Sequence, residues 1–212
     1  PEPKAFGDAV TADHKILNEH DTSRSNDKVA LIVKDRFTHW IQGYPASFKS
    51  AMEIKHAFQR FLGPSMQCKH VYTDNSQEFE KAFKELGLSH DTNTPHRSET
   101  NGIAERAVRK VKEGTACVLV QSGFSEYWWP DAMDTYCFLT NIVDLLADGQ
   151  TSYKKRFGHD FRGPTIPMGA HIKWKPSSDS DKLKAHQFGD GMLPGIFLRY
   201  DQQAGGGWSD DV

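Results

Sequence analysis

Apolar residues recur with two different periods along the first 148 residues, and each period predicts a different kind of element. Residues 5–13 alternate loosely between apolar and polar and predict a first strand. Residues 28–46 are rich in β-branched and aromatic residues and predict two more strands, the first of which pairs antiparallel with strand one. A short fourth strand ends at Asp74.

Helical spacing of apolar residues predicts four helices in the same region. The first has a capping serine, Ser50, with Glu53 three residues later, and the second is closed by Gly87. The expected bounds are residues 50–63, 78–88, 103–121 and 130–149. Residues 89–102 are polar and contain a proline, so they are expected to form a loop.

The composition changes after residue 148. Residues 149–212 are rich in Gly, Pro and Ser, with two short strand-like runs at 170–175 and 193–200. The sequence therefore predicts an α/β domain over residues 1–148, followed by a Gly/Pro-rich linker and a small β-rich module over residues 149–212.

Bulk composition narrows the class of protein without giving its function. Hydrophobic residues make up 37% and charged residues 25% of the 212, and no apolar run approaches the roughly 20 residues that span a bilayer, so no membrane partner is expected. No signal peptide is visible. Three scattered cysteines predict neither a disulfide framework nor a zinc module, and they fit a reducing intracellular compartment. The net charge of −2 does not decide whether the protein binds nucleic acid.

Three acidic residues lie at element boundaries in the way that a two-metal site requires. Asp13 is placed late in strand one, Asp74 at the end of strand four, and Glu105 in the first turn of the third helix. Carboxylates from separate elements can surround Mg²⁺, which prefers oxygen ligands. Asp8 is five residues from Asp13 and faces the opposite side of a regular strand, so only one of the two is a ligand. Asp35 ends the neighbouring strand and is the main rival.

Each acid also has a purely structural explanation. An aspartate directly after a strand usually forms a turn, and a glutamate at a helix start usually complements the helix dipole. The joint pattern is more informative than any single member. The sequence "YTDNSQEF" followed by "TPHRSETNGIAERAVR" resembles the catalytic core of retroviral and retrotransposon integrases, and the Copia-type branch is the nearest match.

The resemblance extends over nearly the whole chain. It includes "TADH" around the first acid, "ALIVKDRFTHWIQGYP", and the helix that opens with two tryptophans. Two departures are visible: Ser76 stands where the family usually has glycine, and "HRSETNG" replaces the commoner pattern before the third acid. The family's upstream zinc module is absent from the sequence. All three carboxylates are retained.

The resemblance implies an RNase H-like fold, a mixed five-stranded sheet flanked by helices, and a DDE-type enzyme. It implies that Asp13, Asp74 and Glu105 hold two Mg²⁺ or Mn²⁺ ions for 3′-end processing and strand transfer. DNA is the implied partner, in a homo-oligomer, with other polyprotein domains and a nuclear location.

Basic residues beside Glu105 are the candidates for binding DNA. The candidates are Asn101, Arg106, Arg109, Lys110, Lys112 and, in the preceding loop, His96. Arg109 and Lys112 share the helix face of Glu105, whereas Arg106 is also a candidate for pairing with an acid on the core side. A second basic group follows at Lys154, Lys155, Arg156 and Arg162. The alternative for each is a solvated helix charge.

Two other functions remain open at this stage. An RNase H-type hydrolase would share the fold and the metals but needs a fourth acid, for which Asp35 and Asp8 are available. A transposon-derived DNA-binding or structural subunit without catalysis would need none of the acids, and the near-neutral charge mildly favours it.

Overall fold

The computed structural model describes residues 2–65, 67–92, 98–186 and 188–209, with the backbone alone for residues 98–101. A five-stranded sheet forms its centre, in the order β3-β2-β1-β4-β5. The strands are β1 Val10–Ile16, β2 Val29–Asp35, β3 Ile41–Ala46, β4 Val71–Thr73 and β5 His90–Thr92. β1 pairs antiparallel with β2 and parallel with β4, so the sheet is mixed. The predicted fold class is confirmed.

The expected loop at residues 89–102 is wrong in two respects. Its first part forms β5, which pairs parallel with β4 at the edge of the sheet. Two of the three residues of β5 are exposed, so its sequence shows no alternation of apolar and polar residues. Its last part belongs to helix α3, which begins at Ser98, so Asn101 and Gly102 lie inside the helix and do not cap it.

Six helices lie in the described part of the chain. They are α1 Ala51–Leu62, α2 Gln77–Leu86, α3 Ser98–Ser122, α4 Trp129–Val143, α5 Ser152–Phe157 and α6 Asp179–Lys182. Ser50 caps α1 as expected, since its side chain accepts a hydrogen bond from the Glu53 N–H at 3.2 Å. None of these helices is both long and apolar enough to cross a membrane.

Helix α4 ends about six residues before the expected stop at Gly149. Asp144 is already extended, and Leu145 forms an isolated bridge with Thr151 across a turn that contains Gly149 at a φ of 76°. The turn residues therefore close a small loop and do not terminate the helix.

The two faces of the sheet carry different helices. Val10, Ala12 and Val33 face the core that α1 and α2 cover, together with phenylalanines of both helices. Ala30 and Ile32 face Ala107 and Val111 of α3. Strand alternation fixes this division, because every second residue of β1 and β2 points to the same side.

Residues after 148 pack into the main core. Strands β6, His171–Trp174, and β7, Leu193–Ile196, form an antiparallel pair where two strand-like runs were predicted. Phe197 and Tyr200, which follow β7, are each 1% exposed and belong to the same apolar cluster as α1 and β1. The division of the chain at residue 148 stays a prediction, and these contacts cross it.

A buried polar chain joins the C-terminal segment to the sheet and to α4. The Gln202 amide donates to Asp134 Oδ1 at 3.0 Å, and the Gln42 amide of β3 donates to Gln202 Oε1 at 2.9 Å. Arg199 lies 3.9 Å from Asp134. Burial raises the pKa of Asp134 to about 6, and the nearby Arg199 offsets this only in part.

Asp134 should give the protein a pH-dependent stability. Its folded-state pKa is above the ordinary value of 3.8, so its contribution to stability falls as pH rises from about 4 to about 6. Against Asp134→Asn, which does not titrate, the wild type should lose about 2 kcal/mol of unfolding free energy between pH 4 and pH 7. Urea unfolding of both proteins at each pH measures the difference, and a constant difference would contradict the assignment.

Candidate active site

Strand pairing brings the first two acids side by side. Val10 and Thr11 of β1 are level with Val71 and Tyr72 of β4 in a parallel ladder. Continuing that register by two residues brings Asp13 level with Asp74, which directly follows β4. Asp13 is the fourth of the seven residues of β1, not a late one as expected, because the strand runs on to Ile16.

Glu105 comes to the same side of the sheet from α3. Asp13 is the cross-strand partner of Ile32, which packs against Ala107 and Val111 of α3. Glu105 is exposed and lies seven residues after the start of α3, so it is not in the first turn as expected. The three acids therefore come from two neighbouring strands and the helix above them.

The charge environment of Asp13 links all three acids. Burial raises the pKa of the Asp13 carboxyl, and the negative charges of Asp74 and Glu105 raise it further. The His14 N–H, which donates to Asp13 Oδ1 at 2.7 Å, and the Lys49 ammonium oppose the increase. Asp13 is thus a carboxylate held near two others, which is the arrangement that a divalent cation stabilises.

The carboxylate oxygens at this site meet some of the requirements of a divalent cation. Asp74 Oδ1 is buried and has no hydrogen-bond partner among the described residues, which leaves a carboxylate oxygen available to a ligand. Oxygen donors of this kind suit Mg²⁺ or Mn²⁺. No three His, Cys, Asp or Glu side chains within the described ranges lie close enough to form a ready-made metal site. The fit therefore rests on the oxygens of Asp13 and Asp74, and the charge of Glu105 acts on the same site.

Asp35 and Asp8, the alternative ligand candidates, are held by hydrogen bonds to other residues. Asp35 is fully buried, and its carboxylate accepts hydrogen bonds from the Gly7 and Thr38 N–H groups at 2.9 and 2.7 Å. Asp8 precedes β1 and accepts a hydrogen bond from the Lys4 N–H at 2.8 Å, with Lys69 at 2.7 Å. Both acids therefore have structural roles at the other end of β1.

His14 lies on the opposite face of β1 from Asp13, as strand alternation predicts. Its ring packs against Phe79, with 4.8 Å between ring centroids. Burial, together with the nearby Lys49 charge, lowers the pKa of His14 to about 4. The ring is therefore neutral at physiological pH.

Comparison with known proteins connects this geometry to a family. The chain is 30% identical over 143 residues to the retrovirus-related Pol polyprotein from transposon RE1 of Arabidopsis thaliana, and 28% identical over 149 residues to that of transposon RE2. Each match covers 64% of this chain, which spans about a tenth of the length of those relatives. No protein-family model matches the sequence.

Solved structures agree on the fold. The catalytic core domain of HTLV-2 integrase, solved in complex with magnesium in a trimeric form, has a TM-score of 0.56 and 16% identity over 72% of this chain and 97% of that one. The catalytic core domain of BIV integrase gives a TM-score of 0.51 and 18% identity over 70% and 92%. The chain therefore has the fold of the integrase catalytic core domains.

Sequence reasoning missed one residue beside the candidate acids. Lys49, in the connection between β3 and α1, lies 3.9 Å from Asp74 Oδ2 and 3.8 Å from Glu78 Oε2, and its side chain is 21% exposed. It thus provides a positive charge beside the acids. Nothing in its local sequence distinguishes it, because the contact depends on how β3 and α1 are packed against β4.

Removing the Lys49 charge should strengthen cation binding at the candidate site. A neighbouring positive charge opposes a divalent ion by about 1 kcal/mol at this kind of site, so Lys49→Gln should lower the Kd for Mn²⁺ about fivefold. Titration calorimetry measures the Kd, and Lys81→Gln on the exposed side of α2 is the matched control. Unchanged or weaker binding by Lys49→Gln would show that its ammonium does not act on the ion.

The basic residues of α3 lie on two edges of the helix. Arg109 and Lys112 are four and seven residues after Glu105 and share its edge, and both are exposed. Arg106 and Lys110 lie on the second edge, where Lys110 pairs with Asp144 at 3.1 Å.

Three further expectations have different outcomes. Arg106 forms no ion pair with an acid in the described part of the chain, and its guanidinium folds back towards Gly102. The Asn101 side chain and the whole of His96 lie outside what the structure describes, so their roles stay predictions. The expectation that Arg156 binds DNA is wrong: its guanidinium lies among aromatic rings of the core, 3.7 Å from the centre of the Phe6 ring.

Proposed function

We propose that this chain is the catalytic core of an integrase that processes DNA ends and joins them to target DNA by polynucleotidyl transfer. The observation that supports this most directly is the parallel register of β1 and β4, which sets Asp13 beside Asp74 below the helix that carries Glu105. Relatives among retrotransposon Pol polyproteins and the integrase-core fold agree with it.

Asp13, Asp74 and Glu105 are proposed to hold two Mg²⁺ or Mn²⁺ ions. Bound there, the ions would supply the Lewis acidity for attack of an oxygen nucleophile on a phosphodiester. Asp74 offers its free buried Oδ1, and Asp13 must be ionised, so its raised pKa opposes ion binding as pH falls. Glu105, exposed on α3, is proposed to supply the third carboxylate from the helix.

The partners of the whole protein belong to the same proposal. DNA is the substrate, and the exposed Arg109 and Lys112 beside Glu105 are placed to contact its phosphates. We infer that the chain self-associates and works with other polyprotein domains in the nucleus. The match covers only about a tenth of the length of the relatives, which agrees with additional domains.

A strand-transfer assay tests the function. The protein is incubated with a labelled duplex whose 3′ end is recessed, an unlabelled target plasmid, and Mg²⁺ or Mn²⁺, and joined products are separated by size. Label that appears in the plasmid, and disappears when EDTA is added, is the expected result. Absence of joining with both ions, while DNA binding is normal, would contradict it.

One observation favours a second candidate, a DNA-binding subunit without catalysis. The described acids do not form a ready-made group of three around an ion. Such a protein would bind the duplex in the assay but join nothing. The RNase H-type hydrolase loses its main support, because Asp35 and Asp8 are engaged in local hydrogen bonds away from Asp13. Cleavage of an RNA–DNA hybrid in the same buffer would restore it.

A further inference from the structure

Lys34 is a cation on a central strand of the sheet, in a place where an apolar residue would be expected. It lies on β2 between Thr11 of β1 and Ile41 of β3. Alternation puts its side chain on the face of Ala30 and Ile32, which is the face that α3 covers. A half-buried ammonium at such a position costs free energy unless a partner offsets it.

The charges around Lys34 are positive. Burial lowers the pKa of Lys34, and the charges of Lys110 and Arg106 on α3 lower it further. His39, at the turn between β2 and β3, also lies within the field of Lys34. The nearby acids Asp144 and Asp148 pair with Lys110 and Lys155, at 3.1 and 3.2 Å. Within the described ranges, neither Lys34 nor Arg106 has an ion pair with an acid.

This positive cluster lies next to the carboxylates along the same face of the sheet. Thr11, directly opposite Lys34, is two residues before Asp13, so Lys34 is on the order of 9 Å from Asp13. Thr11 is 3% exposed, and its hydroxyl has no hydrogen-bond partner among the described residues. The face thus changes from negative at Asp13 to polar at Thr11 and positive at Lys34.

We propose that Lys34, with Arg106 beside it, binds a backbone phosphate of the DNA on which the three acids act. The inference rests on the proposed function and adds a residue from the sheet to the basic residues of α3. A strand whose phosphodiester lies at the acids carries further phosphates on either side, and a pair of cations without a counter-ion attracts one of them. Lys34 contacts the backbone and does not read the base sequence.

The salt dependence of DNA binding tests the proposal. Fluorescence anisotropy measures the Kd for a fluorescein-labelled 20-base-pair duplex at 50 to 200 mM NaCl. Lys34→Gln removes the charge and should raise the Kd about fivefold and reduce the slope of log Kd against log salt by roughly 0.9, the value of one phosphate contact. Lys34→Arg keeps the charge and should restore both. Lys55→Gln, on α1 at the opposite face of the sheet, is the matched control and should change neither.

The outcomes separate the two proposals. If the wild type binds the duplex and Lys34→Gln, with an unchanged melting temperature, has the same Kd and slope, the role of Lys34 is overturned while the integrase proposal stands. If Lys34→Gln raises the Kd but leaves the slope unchanged, the effect is structural and the phosphate contact is also overturned. A wild type that does not bind the duplex at 50 mM salt overturns both.

Discussion

Replacing Glu105 by Gln should lower the rate of strand transfer about 10³-fold while leaving the fold unchanged. Glu105 is exposed on α3, and glutamine has nearly the same shape, so the substitution fits without rearranging the core. A carboxylate that holds a catalytic ion is worth several kcal/mol in the transition state, which corresponds to this factor. Single-turnover joining of a labelled DNA end in Mg²⁺ measures the rate, and circular dichroism checks the fold.

The same helix offers the matched control for that experiment. Glu113 is exposed on α3 eight residues further on, and Glu113→Gln changes the net charge equally. It should leave strand transfer within about twofold of the wild-type rate. If both variants lose the same activity, the effect comes from the overall charge of the helix. If neither does, Glu105 is not a ligand and the assignment of the third acid fails.

Replacing Arg156 by Ala should destabilise the protein by about 3 kcal/mol. The guanidinium lies 4.9 Å from the centre of the Trp40 ring and 5.5 Å from that of Phe61, and it donates to the Phe61 carbonyl oxygen at 2.7 Å. Alanine leaves a cavity between these rings and a carbonyl without its donor. Urea unfolding followed by tryptophan fluorescence measures the loss of free energy.

Lys154 of α5 is the control for Arg156. It pairs with Asp160 at 3.0 Å on the surface, so Lys154→Ala should cost less than about 1 kcal/mol. Arg156→Lys should lie between the wild type and Arg156→Ala, because an ammonium lacks the flat surface that stacks on the rings. Equal effects of Lys154→Ala and Arg156→Ala would show that the aromatic surroundings of Arg156 contribute nothing.

Much of the fold could be predicted because local patterns decide it. β2 and β3 follow from β-branched and aromatic residues, and Ser50 predicts the start of α1. The loose alternation at residues 5–13 predicts β1 but places it several residues too early, because the strand spans Val10–Ile16. Strand parity favours Asp13 over Asp8 from sequence alone, whereas its position level with Asp74 depends on the pairing of β1 with β4, which the sequence does not show. Local sequence could not reveal β5, because an edge strand that is paired on one side and exposed needs no apolar residues.

The parts that could not be predicted depend on contacts between distant segments. The rings around Arg156 come from Phe6, Trp40, Phe61 and Phe157, and a count of basic residues gives no sign that these meet. Lys49 reaches Asp74 only after β3, α1 and β4 have packed. The unpaired charge of Lys34 likewise becomes visible only when α3 lies over β2.

The three acids of the candidate site come from two kinds of element, two from the sheet and one from a helix. Asp13 and Asp74 are anchored by the backbone ladder between β1 and β4, which is the part of a protein that opens least often. Glu105 is borne by a helix surface that faces solvent. On the proposed assignment, affinity for the ion would depend mainly on the two aspartates of the sheet, whereas the position of α3 would set the rate of the joining reaction.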